Sequence, residues 1–76
     1  TVFDVTLAAC KDNKIHMSSR GTKVTRYVEG IAGLYEFDCG PTSGWIYYVN
    51  GVSPSVGSDT YEIEDKDQIK WEYIIE

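Results

Sequence analysis

Few residues of this chain are of types that do catalytic chemistry, and their spacing excludes the commonest reactions. His16 is the only histidine, and no serine or cysteine stands at a spacing that suggests a catalytic triad with it. Cys10 and Cys39 are not arranged as Cys-x-x-Cys, and two cysteines with one histidine are too few for a structural zinc site. These residues therefore predict neither an enzyme nor a bound cofactor.

Carboxylates are concentrated toward the C-terminus. A cluster of five consists of Asp59, Glu62, Glu64, Asp65 and Asp67. Their spacing is not that of a calcium-binding loop, so they are best interpreted as part of a solvated strand face and turn. Weak binding of a metal ion in this region stays open as an alternative. The glycines in the middle of the chain do not form a phosphate-binding Gly-x-Gly-x-x-Gly pattern and precede no predicted helix, so no nucleotide site is predicted.

The stretch GPTSGWIYYVNGVSPSVGS, residues 40–58, is the best candidate for a binding site. In an extended strand, Trp45 and Tyr47 point to one face while Ile46 and Tyr48 point to the other. The Asn-Gly pair that follows is a strong turn signal, and loops held by a rigid sheet are where binding residues usually sit. An exposed tyrosine beside glycine and serine offers a flat apolar face with a hydroxyl group. These features predict a surface that binds a ligand or a partner.

Length, composition and charge limit the classes of protein that fit. The chain has 76 residues, enough for one small domain, and 42% of them are hydrophobic, as in globular proteins. Its formal net charge is −5 and its basic residues are scattered, so it has no surface suited to nucleic acid. No apolar run approaches the roughly 20 residues that span a bilayer, so no membrane insertion is predicted.

The elements that must position these residues are one helix followed by strands. Thr1 is suited to cap a helix with Asp4 in its first turn, and the helical spacing of apolar residues continues to about Lys11. A strand is the competing interpretation, because apolar residues in this segment also alternate. Strands are predicted at residues 22–30, 34–39, 45–51, 60–64 and 68–76, and residues 12–21 are a connection or a short strand.

This order predicts an α+β fold in which one N-terminal helix packs on one face of a small, mainly antiparallel sheet. The predicted core includes Phe3, Leu7, Leu34, Phe37, Ile69 and Trp71.

Several motifs in this order carry a resemblance to a known family. They are YVEGIAGLYEFDCGPTSGWIYYVNG at residues 27–51 and VGSDTYEIEDKDQIKWEY at residues 56–73, after TVFDV opens the helix. The chain resembles the transcobalamin-C-terminal-like β-grasp domains of secreted and cell-surface proteins, especially those of Gram-positive bacteria. The resemblance covers residues 1–76 as a single domain. A β-grasp domain places a hairpin before its helix; the chain would lack it, with the sheet edge left open or completed by another chain, including a second copy in a homodimer.

The resemblance also implies a function and a set of site residues. It implies a non-catalytic binding or interaction module, secreted or at the cell surface, whose partner is another protein or domain or a small molecule. A half-site for cobalamin or another corrinoid, acting with a partner domain, is the alternative. The contact residues carried over to this chain, with the exposed tyrosine added, are Trp45, Tyr47, Tyr48, Asn50, Val52, Ser53, Pro54, Val56 and Gly57. Relatives often carry two further cysteines that this chain lacks, which leaves Cys10 and Cys39 as the candidate disulfide.

Overall fold

In the residues that the structure describes, one helix is followed by five short strands. A computed structural model describes residues 1–75 of the chain; the predicted last strand and domain reach residue 76, which lies outside them. The elements are α1 (Val2–Asp12), β1 (Met17–Arg20), β2 (Tyr27–Ile31), β3 (Leu34–Tyr35), β4 (Gly44–Val49) and β5 (Ile69–Ile74). The prediction of an α+β fold with an N-terminal helix and antiparallel strands is confirmed.

Helix α1 begins as its sequence predicts. The Thr1 hydroxyl accepts a hydrogen bond from the Asp4 backbone N–H at 3.2 Å, which satisfies one of the free donors of the first turn. The face of the helix that carries Val2, Phe3 and Cys10 is buried. The competing interpretation of this segment as a strand is wrong.

The strands form two small antiparallel sheets, where the sequence predicts one. The first has the order β1-β2-β3, and the second contains β4 and β5 in continuous register from Gly44 opposite Ile74 to Val49 opposite Ile69. The chain leaves β3 through a turn in which Phe37 has φ 69°, so the predicted strand 34–39 stops after Tyr35. Strand β4 therefore starts a new sheet.

Two other predicted strands differ from the structure. The strand expected at 22–30 is formed only from Tyr27, because Val24 adopts a left-handed conformation with φ 67°. Residues 60–64 pair with no strand in the described chain, although Tyr61 and Ile63 pack against the core. Their alternation thus reflects burial of one side of an irregular segment.

The core lies between α1 and one face of the β4–β5 sheet. Val2, Tyr47 and Val49 form its buried centre, and Tyr61, Ile63, Ile69 and Trp71 pack around them. Of the predicted core residues, Phe3 is buried, and Leu7, Leu34, Ile69 and Trp71 are half-buried. Phe37 is 62% exposed, so its assignment to the core is wrong; its left-handed backbone breaks the strand alternation on which that assignment rested.

Candidate functional site

Most of the predicted contact residues meet in one cavity, which we call the loop cleft. It lies where β2, β4 and the loop 53–58 come together, and its volume is about 270 Å³. Its lining consists of Arg26, Tyr27, Val28, Trp45, Ile46, Tyr47, Trp71 and residues 53–58. The structure thus brings together Trp45, Tyr47, Ser53, Pro54, Val56 and Gly57 from the predicted set.

Tyr47 forms a fixed part of the cleft wall. Its side chain is only 7% exposed, and its ring lies 5.5 Å from that of Trp71 and 6.4 Å from that of Tyr61, centroid to centroid. Its hydroxyl donates a hydrogen bond to the Val56 carbonyl at 2.5 Å, and burial raises the pKa of this phenol. The hydroxyl therefore holds the loop against the sheet and stays protonated.

The Trp45 side chain also has a fixed orientation. Its indole N–H donates to the Leu34 carbonyl at 2.8 Å, and its ring meets that of Tyr73 edge-on at 5.2 Å. Since both contacts orient the indole from outside the cleft, Trp45 presents a preformed apolar surface to the cavity.

An ion pair fixes one end of the loop to β2. Asp59 is 2% exposed and directly follows the loop, while Arg26 directly precedes β2. The Arg26 guanidinium makes a bidentate contact with Asp59, with Nη2 2.7 Å from Oδ1 and Nε 2.9 Å from Oδ2. The Arg26 backbone N–H also donates to Oδ2 at 3.0 Å. These bonds lower the pKa of Asp59 to about 2. The carboxylate is thus charged at neutral pH and fully satisfied.

The same arginine connects the loop to the helix. The guanidinium lies 4.2 Å above the Phe3 ring and donates to Asp4 Oδ1 at 3.0 Å. Neither Arg26 nor Asp59 was among the predicted contact residues of the loop, although Asp59 belongs to the acidic set for which weak metal binding stayed open. The two are 33 positions apart, and no local pattern marks the pair.

The loop is also fastened to the start of α1 through the backbone. The Phe3 N–H donates to the Ser58 carbonyl at 2.9 Å, and the Val2 N–H donates to the Tyr61 carbonyl at 3.0 Å. These donors belong to the first helical turn, which has no partners for them within the helix. The loop cleft is therefore built on a rigid support on three sides.

Three predicted contact residues lie away from the cleft. Tyr48 points to the opposite face of β4, where its hydroxyl lies 3.2 Å from Glu72 Oε1, and that hydrogen bond raises the phenol pKa. Asn50 and Gly51 form the predicted turn with positive φ, and the Asn50 side chain bonds Asp67. Val52 is 67% exposed beyond the turn. Tyr48 lies away from the cleft because side chains alternate along β4, so that Trp45 and Tyr47 face one side of the strand and Tyr48 faces the other.

The cysteines and the acidic residues form no site in the described chain. Cys10 is buried in α1 and Cys39 is exposed in a turn; both are free thiols, so the structure does not contain the predicted bridge. Among residues 1–75, no group of three or more His, Cys, Asp or Glu side chains could hold a metal ion. The Asp67 carboxylate accepts hydrogen bonds from the Glu64 backbone N–H and from the Asn50 side-chain amide, and these bonds lower the Asp67 pKa and hold the final turn together.

A second cavity, which the sequence did not predict, lies beside α1. This helix groove has a volume of about 410 Å³. It is lined by Val5, Thr6, Ala9, Cys10, Asn13, Ile15, Ile31, Trp45, Ile69 and Trp71. The Thr6 and Asn13 side chains that line the groove already donate to backbone carbonyls of α1, whereas the loop cleft combines aromatic walls with three serine hydroxyls and a guanidinium. Specific sites need such polar groups on an apolar wall, so the loop cleft is the better candidate.

Comparison with known proteins identifies the family without a function. No helix in the described part of the chain is long and apolar enough to cross a membrane. No curated protein and no solved structure matches the chain. A family model described as a domain of unknown function, DUF4430, matches residues 1–74. Since this match covers nearly the whole sequence, the chain belongs to that family.

Proposed function

We propose that the chain is a non-catalytic binding module that receives an apolar or aromatic group of a partner protein or small ligand in the loop cleft. The observation that carries the proposal is the convergence of Trp45, Tyr47 and all five residues of the loop segment 53–57 on one preformed cavity. Rigid sites lose little entropy on binding, and the anchored loop and indole supply such rigidity.

The residues around the cleft support binding over catalysis. Among the described residues, its lining contains aromatic and aliphatic side chains, three serines and Arg26, and none of them is a histidine, cysteine or carboxylate that could act as a base. The Arg26 guanidinium is paired with Asp59 and Asp4, so it forms part of the rim of the loop cleft and its charge is already neutralised. This leaves shape and apolar contact as the main sources of affinity.

The size of the cleft favours a group about as large as one or two rings. Sites that enclose a whole small molecule usually have about 300–1,000 Å³, and this cavity is slightly below that range. A side chain of a partner protein fits this size, as does one edge of a larger ligand. We therefore expect weak binding of isolated fragments and tighter binding of a partner that also contacts the rim.

A corrinoid half-site is the second candidate. The wall of Trp45, Tyr47 and the loop is the contact strip that the resemblance to transcobalamin-like domains suggests for this chain. A corrinoid is much larger than the cleft, so it would touch one wall here and need a partner domain for the rest. Placement outside a bacterial cell rests on the same resemblance. It is tested by immunodetection of the protein in the secreted and wall fractions of the source bacterium.

Titration with indole tests the binding proposal, because indole mimics one aromatic group. Amide and side-chain NMR shifts should saturate at millimolar indole and should cluster at Trp45, Tyr47 and residues 53–58. The variant Ser55→Trp places a bulky side chain in the cleft and should abolish the shifts. Val52→Trp, at an exposed position outside the cleft, is the matched control and should bind as the parent does.

The outcomes separate the candidates. Equal indole binding by Ser55→Trp and the parent would contradict the loop cleft as the site. A parallel titration with cobinamide should show no binding below micromolar concentration. Submicromolar binding of cobinamide by this chain alone would instead support the corrinoid candidate.

A further inference from the structure

The loop cleft lies at an edge of strand β4. Its lining includes three consecutive residues of that strand, Trp45, Ile46 and Tyr47. Side chains of consecutive strand residues point to opposite faces of a sheet, so a cavity that contacts all three lies at the strand edge. Strand β5 occupies the other edge of β4. The hairpin that a β-grasp domain places before its helix would complete the edge of β5, so it would leave the β4 edge facing the cleft.

Two backbone contacts at the end of β4 show how its hydrogen-bonding groups alternate. The Asn50 N–H donates to the Gln68 carbonyl at 2.8 Å, toward β5. The preceding residue faces the other way, because the N–H groups of Val49 and Val52 each donate to the carbonyl of the other, at 2.8 and 3.1 Å. Along an antiparallel strand, successive residues direct their backbone groups to opposite edges. The even-numbered residues of β4 therefore bond β5, and the odd-numbered residues face the cleft.

Pairing on the cleft side of β4 stops after one pair of residues. If the hairpin continued beyond Val52, Pro54 would lie opposite Tyr47, and proline has no N–H to donate. The loop instead leaves the strand, and the Tyr47 hydroxyl bonds the Val56 carbonyl. Within residues 1–75, β4 pairs with no strand except β5, and no loop residue bonds the backbone of Trp45 or Tyr47. These two residues thus direct their N–H and C=O groups at the cleft without a partner from the described chain.

A strand edge of this kind suits an extended peptide. Backbone N–H and C=O groups that are shielded from water need partners, and Tyr47 is only 7% exposed. An added strand satisfies such groups together: its main chain gives affinity, and pockets for its alternate side chains give specificity. Because Trp45 and Tyr47 are two residues apart, the peptide residues opposite them are also two apart, about 7 Å along the strand.

A third cavity, which we call the edge pocket, continues the loop cleft toward the start of β4. Its volume is about 370 Å³, and it shares Tyr27, Trp45 and Ile46 with the loop cleft. Its lining also contains Arg20 and Glu36. A side chain that lies opposite Trp45 can therefore reach charged groups, whereas one that lies opposite Tyr47 meets the apolar wall.

The charges in the edge pocket favour a basic group. The Arg20 Nη1 lies 2.6 Å from Glu36 Oε1 and 3.3 Å from Glu29 Oε2, so one guanidinium is shared by two carboxylates. One positive and two negative charges leave an excess of negative charge, in a chain whose formal net charge is −5. A lysine or arginine of a bound peptide would complement this excess.

We propose that the loop cleft and the edge pocket together bind an extended segment of a partner polypeptide, which adds as a strand to the edge of β4. The segment runs antiparallel to β4, as the pairing of Val49 with Val52 already does on this edge. One residue of the segment lies opposite Tyr47 with an apolar side chain in the loop cleft. The second residue after it lies opposite Trp45 with a basic side chain in the edge pocket. The apolar contact rests on the function proposed above, whereas the strand pairing and the basic contact are additional to it.

Amide hydrogen exchange with the peptide acetyl-Thr-Trp-Thr-Lys-Thr-amide tests the strand pairing. In the free protein, the amides of Trp45 and Tyr47 should exchange faster than those of Ile46 and Tyr48, which face β5. Saturating peptide should slow exchange at Trp45 and Tyr47 by about tenfold or more and leave the other two amides unchanged. A peptide that competes with indole but gives no such protection would overturn the strand pairing and leave the loop cleft as the binding site. If neither indole nor the peptide binds, both proposals fail.

Methylation of the peptide backbone separates main-chain pairing from burial of a side chain. A methyl group on the tryptophan nitrogen removes the donor to the Tyr47 carbonyl and should raise the dissociation constant about tenfold. The same group on the next threonine, whose N–H points away from β4, is the matched control and should change the dissociation constant little. Equal dissociation constants for the two methylated peptides would contradict strand addition.

The variant Glu36→Gln tests the basic contact. It keeps the size of the side chain but removes its negative charge, so the peptide should bind about two- to fivefold more weakly at low salt. Replacing the peptide lysine by glutamine should weaken binding to the parent protein by a similar factor, without any change to the fold. Glu62→Gln, at an exposed position outside both cavities, removes the same charge and is the matched control. An equal loss in Glu62→Gln, or no loss in Glu36→Gln, would overturn the basic contact.

Discussion

Replacing Phe3 by alanine should remove a large part of the stability of this domain. Phe3 is 1% exposed, its ring lies under the Arg26 guanidinium, and its backbone N–H bonds Ser58. Truncation of a buried phenylalanine typically costs about 3–5 kcal/mol. A domain of this length has roughly 4–11 kcal/mol in total, at about 0.05–0.15 kcal/mol per residue. The variant should therefore be marginally stable or unfolded.

Urea denaturation followed by tryptophan fluorescence measures this loss. With a slope of about 1 kcal/mol per M, the midpoint should fall by about 3 M or more. Phe3→Leu keeps most of the volume and should cost less than about 1.5 kcal/mol, which provides a folded variant if alanine is not tolerated.

Phe37→Ala is the matched control. The same residue type is truncated there, but at a position 62% exposed, so the free energy of unfolding should change by less than about 0.5 kcal/mol. Equal losses at the two positions, or a loss below about 1 kcal/mol for Phe3→Ala, would refute the assignment of Phe3 to the core and of Phe37 to the surface.

Three further predictions concern charge, backbone strain and thiols. The pKa of Asp59 is about 2 in the folded protein, below its unfolded value of about 3.9, so the Asp59 carboxylate contributes its full stabilisation of the fold above pH 3.9 and loses it as the pH falls toward 2. The urea midpoint of the parent should therefore drop between about pH 3.9 and 2, and that of Asp59→Asn should drop less steeply. Val24→Gly should raise the free energy of unfolding by about 1 kcal/mol in the same assay, since a β-branched residue is strained at φ 67°; a loss of stability would contradict this. Alkylation of the native protein should modify the exposed Cys39 and spare the buried Cys10, whereas an intact mass with neither thiol modified would support the bridge.

Local patterns predicted the elements whose causes are local. The Thr1 cap and the apolar spacing after it are sufficient to specify α1, and strand alternation correctly separated Trp45 and Tyr47 from Tyr48. The pattern failed at Val24 and Phe37, where a left-handed residue interrupts the alternation. Nothing in the composition of either segment signals that conformation, because both residue types normally avoid it.

The candidate site was predictable only where one strand and its following loop supply it. The stretch 40–58 contains most of the lining, so its aromatic and small residues marked the cleft from sequence. The contribution of Arg26 and Asp59 depends on a contact between distant segments, which no local spacing encodes. The position of β5 beside β4 is likewise a tertiary result, since the loop between them does not close a tight hairpin.

The contact between the helix and the last strand also bears on how fast the domain folds. The Trp71 indole N–H donates to the Thr6 hydroxyl at 2.9 Å across 65 positions of sequence. The entropic part of the free energy of closing so long a loop is about 1.7 kcal/mol larger than for a loop of ten residues. The β4–β5 sheet and the helix can bury their shared face only after that closure, so neither gains much stability alone. We expect a single cooperative transition and slow folding for so small a chain, with the rate limited by the meeting of its two ends.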